Sequence, residues 1–275
     1  MRAWLATLGA LLAVVVAAVV SAGCSSTLDP VATAATHTAD VSTLRFSLVM
    51  TMRVPGATGA VSLGGRGAVD SSTHRMAMTI DLSRIAALGG GSAVPRRIGM
   101  VEDGAVIYMT GDGLSRILPG GKTWLRLDLA RAADRLGLDV SGLTGGQTDP
   151  RASLAQLRKA GNVVRIGAQT IKGVATTRYN VLVDLGQGVE GLDGSARETM
   201  KELVQRLEAA GTRYVPADAW VDADGYLRRF RIAIPGYFGA GTSFALTMDM
   251  YGFGDPVSIP LPDASQVADL TALGG

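Results

Sequence analysis

The chain has 275 residues and a formal net charge of +2, with 26 Lys and Arg against 24 Asp and Glu. This small charge, without a run of basic residues, argues against a nucleic-acid-binding protein. The single cysteine excludes an intramolecular disulfide. The 36 glycines and the 5% of aromatic residues favour many turns and hairpins over a helical bundle.

Residues 1–24 have the three parts of a secretory signal. Arg2 precedes an uncharged apolar run, and the small residues Ser21-Ala22-Gly23 stand directly before Cys24. The sequence Ser21-Ala22-Gly23-Cys24 resembles the bacterial lipobox, whose common form is Leu-Ala-Gly-Cys. We therefore predict a lipoprotein signal peptide over residues 1–23 and attachment of lipid, with palmitate among its acyl groups, to Cys24. The alternatives are an ordinary cleaved signal and a retained helix, because the apolar run is near the lower length limit for a membrane span.

Residues 24–40 are rich in Ser, Thr and Ala and show no apolar periodicity. This composition predicts a flexible tether between the acylated cysteine and the folded part. The remainder, residues 41–275, is long enough for one substantial core. No linker or internal repeat divides it, so we predict a single domain there.

Alternating apolar residues predict an antiparallel meander at the start of this domain. From Leu44 to Val54 every second residue is apolar, which is the pattern of a half-buried strand. The next run, Val61–Val69, is interrupted by three glycines and therefore has to bend or bulge. The third run, Arg75–Leu82, alternates again. These runs predict three consecutive strands.

Later segments add hairpins and a few helices. Asp103-Gly104 lies between two apolar segments and predicts a hairpin. Ser195 and Glu198 form a capping box for a helix that ends at Gly211, with an apolar stripe of Met200, Leu203, Val204 and Leu207. Further predicted strands are 97–102, 105–110, 122–127, 162–168, 171–185, 219–223, 226–234 and 242–251, and further predicted helices are 83–91, 128–136 and 149–161. The pattern predicts about ten strands and three or four helices.

Signatures of catalysis and of metal binding are missing from the sequence. The two histidines, His37 and His74, neighbour no nucleophile motif. Asp222, Asp224 and Gly225 resemble the start of a calcium loop but lack its later ligands, which favours a simple hairpin turn. We therefore predict a protein that is not an enzyme and that holds no metal and no cofactor. A catalytic site assembled from distant residues is the alternative.

Methionine and aliphatic residues are concentrated on one face of the first, third and last strands. Met is flexible and suits adaptable apolar surfaces, and the predicted helices are too few to cover about ten strands. We therefore predict a cavity that an acyl chain can fill; the alternative is an ordinary core packed under the helices. The predicted lining residues are Leu48, Met50, Met52, Met76, Met78, Ile80, Leu246 and Met248.

Several segments resemble a known family of lipoproteins. Trp220-Val221-Asp222, Leu227-Arg228-Arg229 and the segment from Tyr251 to Val257, together with the lipobox and the tether, resemble the LppX/LprG lipoproteins of actinobacteria. These are similar to the LolA/LolB lipoprotein carriers. The resemblance implies an α+β fold in which a large curved antiparallel sheet, a half-barrel, wraps around a few helices. It also implies a hydrophobic cavity for lipid or glycolipid and no catalytic residue.

Together these features predict a lipoprotein of the cell envelope. We expect a monomer that is held to the membrane by the lipid on Cys24 and exposed on the extracytoplasmic side. We expect it to bind or carry an acyl lipid or a glycolipid, and not a nucleic acid. The alternative is a sensor or assembly module on the same scaffold that transports nothing.

Overall fold

The structure is a computed structural model that describes residues 30–53, 59–88, 95–129, 131, 163–184, 194–209, 211, 214–237 and 241–270. The predicted signal peptide, Cys24 and the predicted helix at 149–161 lie outside these residues. So does most of the predicted helix at 128–136. These features therefore stay predictions.

The described residues form a large, mostly antiparallel sheet with few helices. The strands are β1 (Thr43–Arg53), β2 (Val61–Asp70), β3 (Arg75–Asp81), β4 (Arg97–Asp103), β5 (Val106–Gly111), β6 (Trp124–Asp128), β7 (Val163–Ile171), β8 (Val174–Asp184), β9 (Tyr214–Asp222), β10 (Leu227–Pro235), β11 (Ser243–Tyr251) and β12 (Val267–Asp269). The helices are α1 (Pro30–Ala39), α2 (Ser83–Leu88), α3 (Leu114–Ile117) and α4 (Gly194–Ala209), with 3-10 turns at Pro119–Gly121 and Ala264–Gln266. The predicted α+β fold with a large antiparallel sheet is confirmed.

The chain divides into two compact units. Unit 1 comprises residues 1–40 and 147–247, and unit 2 comprises residues 41–146 and 248–275. The prediction that residues 41–275 form a single domain stays a prediction.

Unit 2 contains the predicted meander. Its strands follow the order β12-β6-β5-β4-β3-β2-β1, and every neighbouring pair is antiparallel except β12 with β6. The alternation along β1 buries Phe46, Leu48 and Met50, while Val49 on the other face is 48% exposed. The predicted hairpin at Asp103-Gly104 is confirmed: β4 and β5 pair around it, and Gly104 has a φ of 58°, which glycine adopts without steric cost.

Unit 1 is built around β9, which lies between β8 and β10. Side chains on both faces of β9 are buried, with Val215 and Ala219 on one face and Trp220 on the other. The predicted helix from Ser195 to Gly211 is confirmed as α4, in which Val204 and Leu207 are buried. The side chains of Ser195, Met200 and Leu203 lie outside the described residues.

The structure differs from the predicted tether over residues 30–39. This segment is the helix α1, which buries Val31, Ala34 and Thr38 and contacts β9 and β10. The Thr38 hydroxyl accepts a hydrogen bond of 2.8 Å from the Leu227 backbone N–H, so the helix completes the hydrogen bonding of β10. The composition of the segment concealed this because Ala residues favour a helix and also suit a linker.

Candidate functional site

An apolar face of the unit 2 sheet is the candidate site. Across the strands Met78 lies opposite Met100, Met100 opposite Met109, and Met109 opposite Leu125. Residues directly opposite each other in antiparallel strands point to the same face, so these side chains form one row. We define the Met/Ile face as Met76, Met78, Ile80, Ile98, Met100, Ile107, Met109, Leu125 and Leu127.

Burial changes along this face. On β3, Met78 and Ile80 are buried. On β4, β5 and β6 every member of the face, such as Met100, Met109 and Leu125, is only half-buried. Apolar side chains that line one face and keep part of their surface accessible leave apolar area for another molecule to cover.

Over β2 the face is filled by the chain's own side chains. Gly65 and Gly67 lie opposite Leu48 and Phe46 of β1. A Cβ placed on Gly67 would be 2.8 Å from Cε1 of Phe46, and one on Gly65 would be 3.0 Å from Cδ1 of Leu48. The aromatic and leucine side chains therefore lie across the glycines. Gly65 and Gly67 therefore make room for these side chains and do not leave open space.

Among the described strands of unit 2, one carboxyl group lies on the same face. Glu102 of β4 is opposite Met76 on one side and Ile107 on the other, so apolar side chains flank it across the sheet. Burial raises the pKa of its carboxyl group. Among the residues that the structure describes, this carboxyl forms no hydrogen bond or ion pair. It is the polar group that a ligand on the Met/Ile face would meet.

The structure places the predicted lining residues in different environments. Four are buried, Leu48, Met50, Met78 and Ile80, and three are half-buried, Met52, Met76 and Met248. Leu246 is fully buried in unit 1, whereas the other seven belong to unit 2. The β3 residues share the Met/Ile face, and Leu48 reaches Ile80 in one row through Gly65. Their role as a cavity lining stays a prediction.

The half-buried part of the face is not among the lining residues predicted from the sequence. Ile98, Met100, Ile107 and Met109 belong to strands that were predicted, but these strands are short, and the longest apolar stripes were chosen as the lining. The signal that could have found them is the alternation in RIGMVED and VIYMTG. Pairing those alternations across the Asp103-Gly104 hairpin brings Met100 and Met109 together.

The Trp-Val-Asp motif in unit 1 has a structural explanation. Trp220 lies between two cross-strand neighbours, with the guanidinium carbon of Arg178 5.3 Å and that of Arg229 5.7 Å from its ring centre. Its indole N–H donates to the side-chain oxygen of Gln169 at 2.7 Å. The buried carboxylate of Asp218 pairs with Arg178 at 2.9 Å. This network joins β7, β8, β9 and β10 side by side.

Asp222, before the β9–β10 turn, is used within the hairpin. Asp222 accepts a hydrogen bond of 2.8 Å from the Tyr226 N–H and pairs with Arg228. Its oxygens therefore already have partners, in keeping with the predicted hairpin turn.

Within the described ranges, no group of three or more His, Cys, Asp or Glu side chains could hold a metal ion. No helix in the same ranges is both long and apolar enough to cross a membrane.

Comparison with known proteins gives one curated relative. An uncharacterised 31.2 kDa protein of the rplA–rplJ intergenic region of Streptomyces griseus is 28% identical over 153 residues. The match covers 54% of this chain and 49% of the relative, so the chain spans about half the length of the curated relative that it matches. No protein-family model matches the chain.

Solved structures similar to this chain include lipoproteins. LppX of Mycobacterium tuberculosis matches with a TM-score of 0.46 and 13% identity over 85% of this chain and 100% of that chain. LprF of Mycobacterium bovis matches with a TM-score of 0.44 and 13% identity over 85% and 95%. A LolA superfamily protein of Nitrosomonas europaea matches with a TM-score of 0.32 and 10% identity over 84% and 93%. Each of these likenesses, at 13% identity or less, concerns the fold alone.

Proposed function

We propose that this protein is a lipid-anchored lipoprotein of the cell envelope that binds the acyl chains of a lipid or glycolipid on the Met/Ile face. The observation that carries the proposal is the half-buried state of this face on β4, β5 and β6. Burying apolar surface is favourable by about 25 cal/mol per Å². An acyl chain lying along the face is therefore held without any directional contact.

The side chains of the face suit a ligand of variable shape. Met100 and Met109 lie side by side across β4 and β5, and methionine side chains adapt to irregular apolar partners because they are unbranched and polarisable. The carboxyl group on the face, that of Glu102, has Met76 and Ile107 as its cross-strand neighbours. Neither of these side chains is a nucleophile or a base. This chemistry favours binding over catalysis.

The envelope location rests on the first 24 residues. The signal pattern and the lipobox-like Ser21-Ala22-Gly23-Cys24 support export and lipid attachment at Cys24. Membrane attachment through Cys24 and a monomeric state are parts of this proposal.

Native mass spectrometry tests the proposal. The mature chain, carrying Cys24→Ser to remove the anchor, is purified from bacteria without a tag, and the mass of the intact protein is compared with that after lipid extraction. A co-purified acyl lipid is the expected result. A clean empty mass, with no binding when acyl lipid is added, would instead favour the sensor or assembly module.

Matched substitutions locate the binding face. Met109→Trp should reduce bound lipid strongly and change the free energy of unfolding by less than about 1 kcal/mol, because the half-buried side chain has room on the open side. Met78→Trp should instead cost about 1–3 kcal/mol, since Met78 is packed. Val49→Trp, on the opposite face and 48% exposed, is the control that should change neither quantity. Lipid content that is unchanged in Met109→Trp would remove the Met/Ile face from the proposal.

A further inference from the structure

The two ends of the unit 2 strands carry different charges. One end is formed by the last residues of β1, β3 and β5 and the first residues of β2, β4, β6 and β12; we call it the basic end. Its basic residues within the described ranges are Arg53, Arg84, Arg96, Arg97, Arg116 and Lys122. Its acidic residues in the same ranges are Asp81, Asp112 and Asp263. The basic end therefore has an excess of positive charge.

Within the described residues, every arginine at the opposite end of unit 2 is ion-paired. Arg75 pairs with Asp103 at 3.0 Å, and Arg45 with Asp255 at 3.6 Å. Arg126 contacts two aspartates at 2.9 and 3.0 Å, and Arg131 shares one of them. These positive charges are neutralised within the protein.

The arginines of the basic end are exposed and have no such partners. Among the described residues, no ion pair joins any of these five arginines to a carboxylate. Asp112 is used by the backbone, since it accepts a hydrogen bond of 3.2 Å from the Arg96 N–H. Asp81 likewise accepts from the Ser83 N–H at 2.8 Å. Asp81 also lies opposite Arg97 in the β3–β4 register, and the charges of Arg97 and Arg84 help to lower its pKa. The positive charges of Arg53, Arg96 and Arg116 are thus the ones available to an external anion.

A large aliphatic side chain stands among these arginines. Ile117 of α3, next to Arg116, is 75% exposed. The backbone around it is held by hydrogen bonds from Arg116 N–H to Gly113 O at 3.0 Å and from Leu118 N–H to Leu114 O at 2.9 Å. An ordered turn therefore presents Ile117 to the solvent beside a positive charge.

We propose that the basic end docks on an anionic lipid bilayer, with Ile117 entering the interface and the arginines contacting lipid phosphates. Basic residues beside an exposed apolar side chain are the combination that binds anionic membrane surfaces. A nucleic acid would use the arginines but leave Ile117 without an apolar partner, whereas the bilayer interface accepts both groups. The contact is separate from the lipid on Cys24 and from the Met/Ile face, and it rests on neither.

Vesicle flotation tests the proposal without the anchor. The mature chain with Cys24→Ser is mixed with vesicles of phosphatidylcholine and phosphatidylglycerol, or of phosphatidylcholine alone. We expect binding to the anionic vesicles that weakens with added salt, and little binding to the neutral vesicles. Arg116→Glu and Ile117→Ser should each lower the binding by about fivefold or more.

Two control variants match these changes. Arg66→Glu alters the net charge equally but lies at an exposed position in the middle of β2, and Val49→Ser removes an exposed aliphatic residue from β1. Both should stay within about twofold of the parent. Thermal unfolding of all four variants shows whether a loss of binding comes from loss of structure.

Fluorescence gives a second and more direct measurement. Because Cys24 is the only cysteine, Ile117→Cys in the Cys24→Ser chain accepts a single environment-sensitive dye. A blue shift on anionic vesicles, with none for dye at Val49→Cys, supports insertion at Ile117. Absence of binding to anionic vesicles, equal losses in Arg66→Glu and Arg116→Glu, or binding to heparin but not to vesicles would each overturn the proposal.

Discussion

The half-buried carboxyl group of Glu102 lowers the stability of the folded protein when it is ionised. Its carboxyl lies between Met76 and Ile107 on the apolar face, and burial raises its pKa. A carboxyl whose pKa is higher in the folded than in the unfolded state costs nothing when it is protonated in both. The cost appears as the pH rises through the unfolded and then the folded pKa.

Glu102→Gln should therefore stabilise the protein at neutral pH and not at acidic pH. We expect a gain of about 1 kcal/mol at pH 7, because a partly buried charge without a partner is replaced by a neutral group. The gain should disappear below about pH 4, where the carboxyl is protonated in both states. Urea unfolding at both pH values measures it, with the exposed Glu208→Gln as control. A gain that is equal at both pH values would contradict this explanation.

The glycines of β2 give a prediction about packing. Gly67→Ala should destabilise the protein by about 1–3 kcal/mol or more, because the new methyl group would overlap the Ala77 carbonyl oxygen and the ring of Phe46. Gly64→Ala is the matched control: the same strand gains the same methyl group, with no atom within 4 Å of it. Denaturant melts compare the two. Equal effects would mean that Phe46 does not lie over Gly67.

At the scale of elements, hydrophobic alternation predicted most of the sheet. The pattern from Leu44 to Val54 became β1, and the Asp103-Gly104 turn became the β4–β5 hairpin, because both signals are local. The predicted strand at 219–223 was too short, since β9 begins at Tyr214. The first half of β9 was not predicted because it contains Pro216, and a proline argues against a central strand. This proline pairs with Leu182 of β8, and the described pairing with β10 ends one residue later, at Ala217, so its missing N–H is tolerated.

The helix α1 could not be predicted from composition, because only its tertiary contacts distinguish it from a linker. Thr38→Val tests these contacts by removing the acceptor of the buried Leu227 N–H. We expect a loss of about 1–3 kcal/mol, the cost of leaving a buried donor without a partner. Thr33→Val, on the exposed side of the same helix, should have little effect. If thermal or urea unfolding gives equal stability for both variants, α1 does not dock in solution.

At the scale of the whole molecule, the candidate site was only partly visible in the sequence. Periodicity assigned Met76, Met78 and Ile80 to one face, but it could not show that Met78 is packed while Met100 and Met109 remain half-buried. Burial depends on which strands and side chains cover each position. The basic end was hidden for a similar reason. A net charge of +2 sums over the chain, whereas the strand order collects the arginines of three separate connections at one end of unit 2.

The predicted lipid anchor on Cys24 limits how far the folded part can lie from the membrane. Cys24 lies six residues before the start of α1 at Pro30. An extended chain spans at most about 3.6 Å per residue, so a lipid on Cys24 would hold α1 within about 20 Å of the bilayer surface. The link between the lipid and the folded part would then be shorter than predicted, because α1 begins at Pro30 and the tether was predicted to extend to residue 40.

Cys24→Ala should abolish both lipid attachment and removal of residues 1–23. Cells expressing the wild type or the variant are labelled with a palmitate analogue, and the label and the size of the protein are measured together. The wild type should carry label at the mature size, and the variant should be unlabelled at the precursor size, because lipid transfer to the cysteine precedes cleavage in this kind of signal. Ser25→Ala, one residue further on, is the control and should behave as the wild type. An ordinary secretory signal predicts that Cys24→Ala is still cleaved and that neither protein is labelled. A retained helix predicts that neither protein is cleaved, so the three alternatives give three different results.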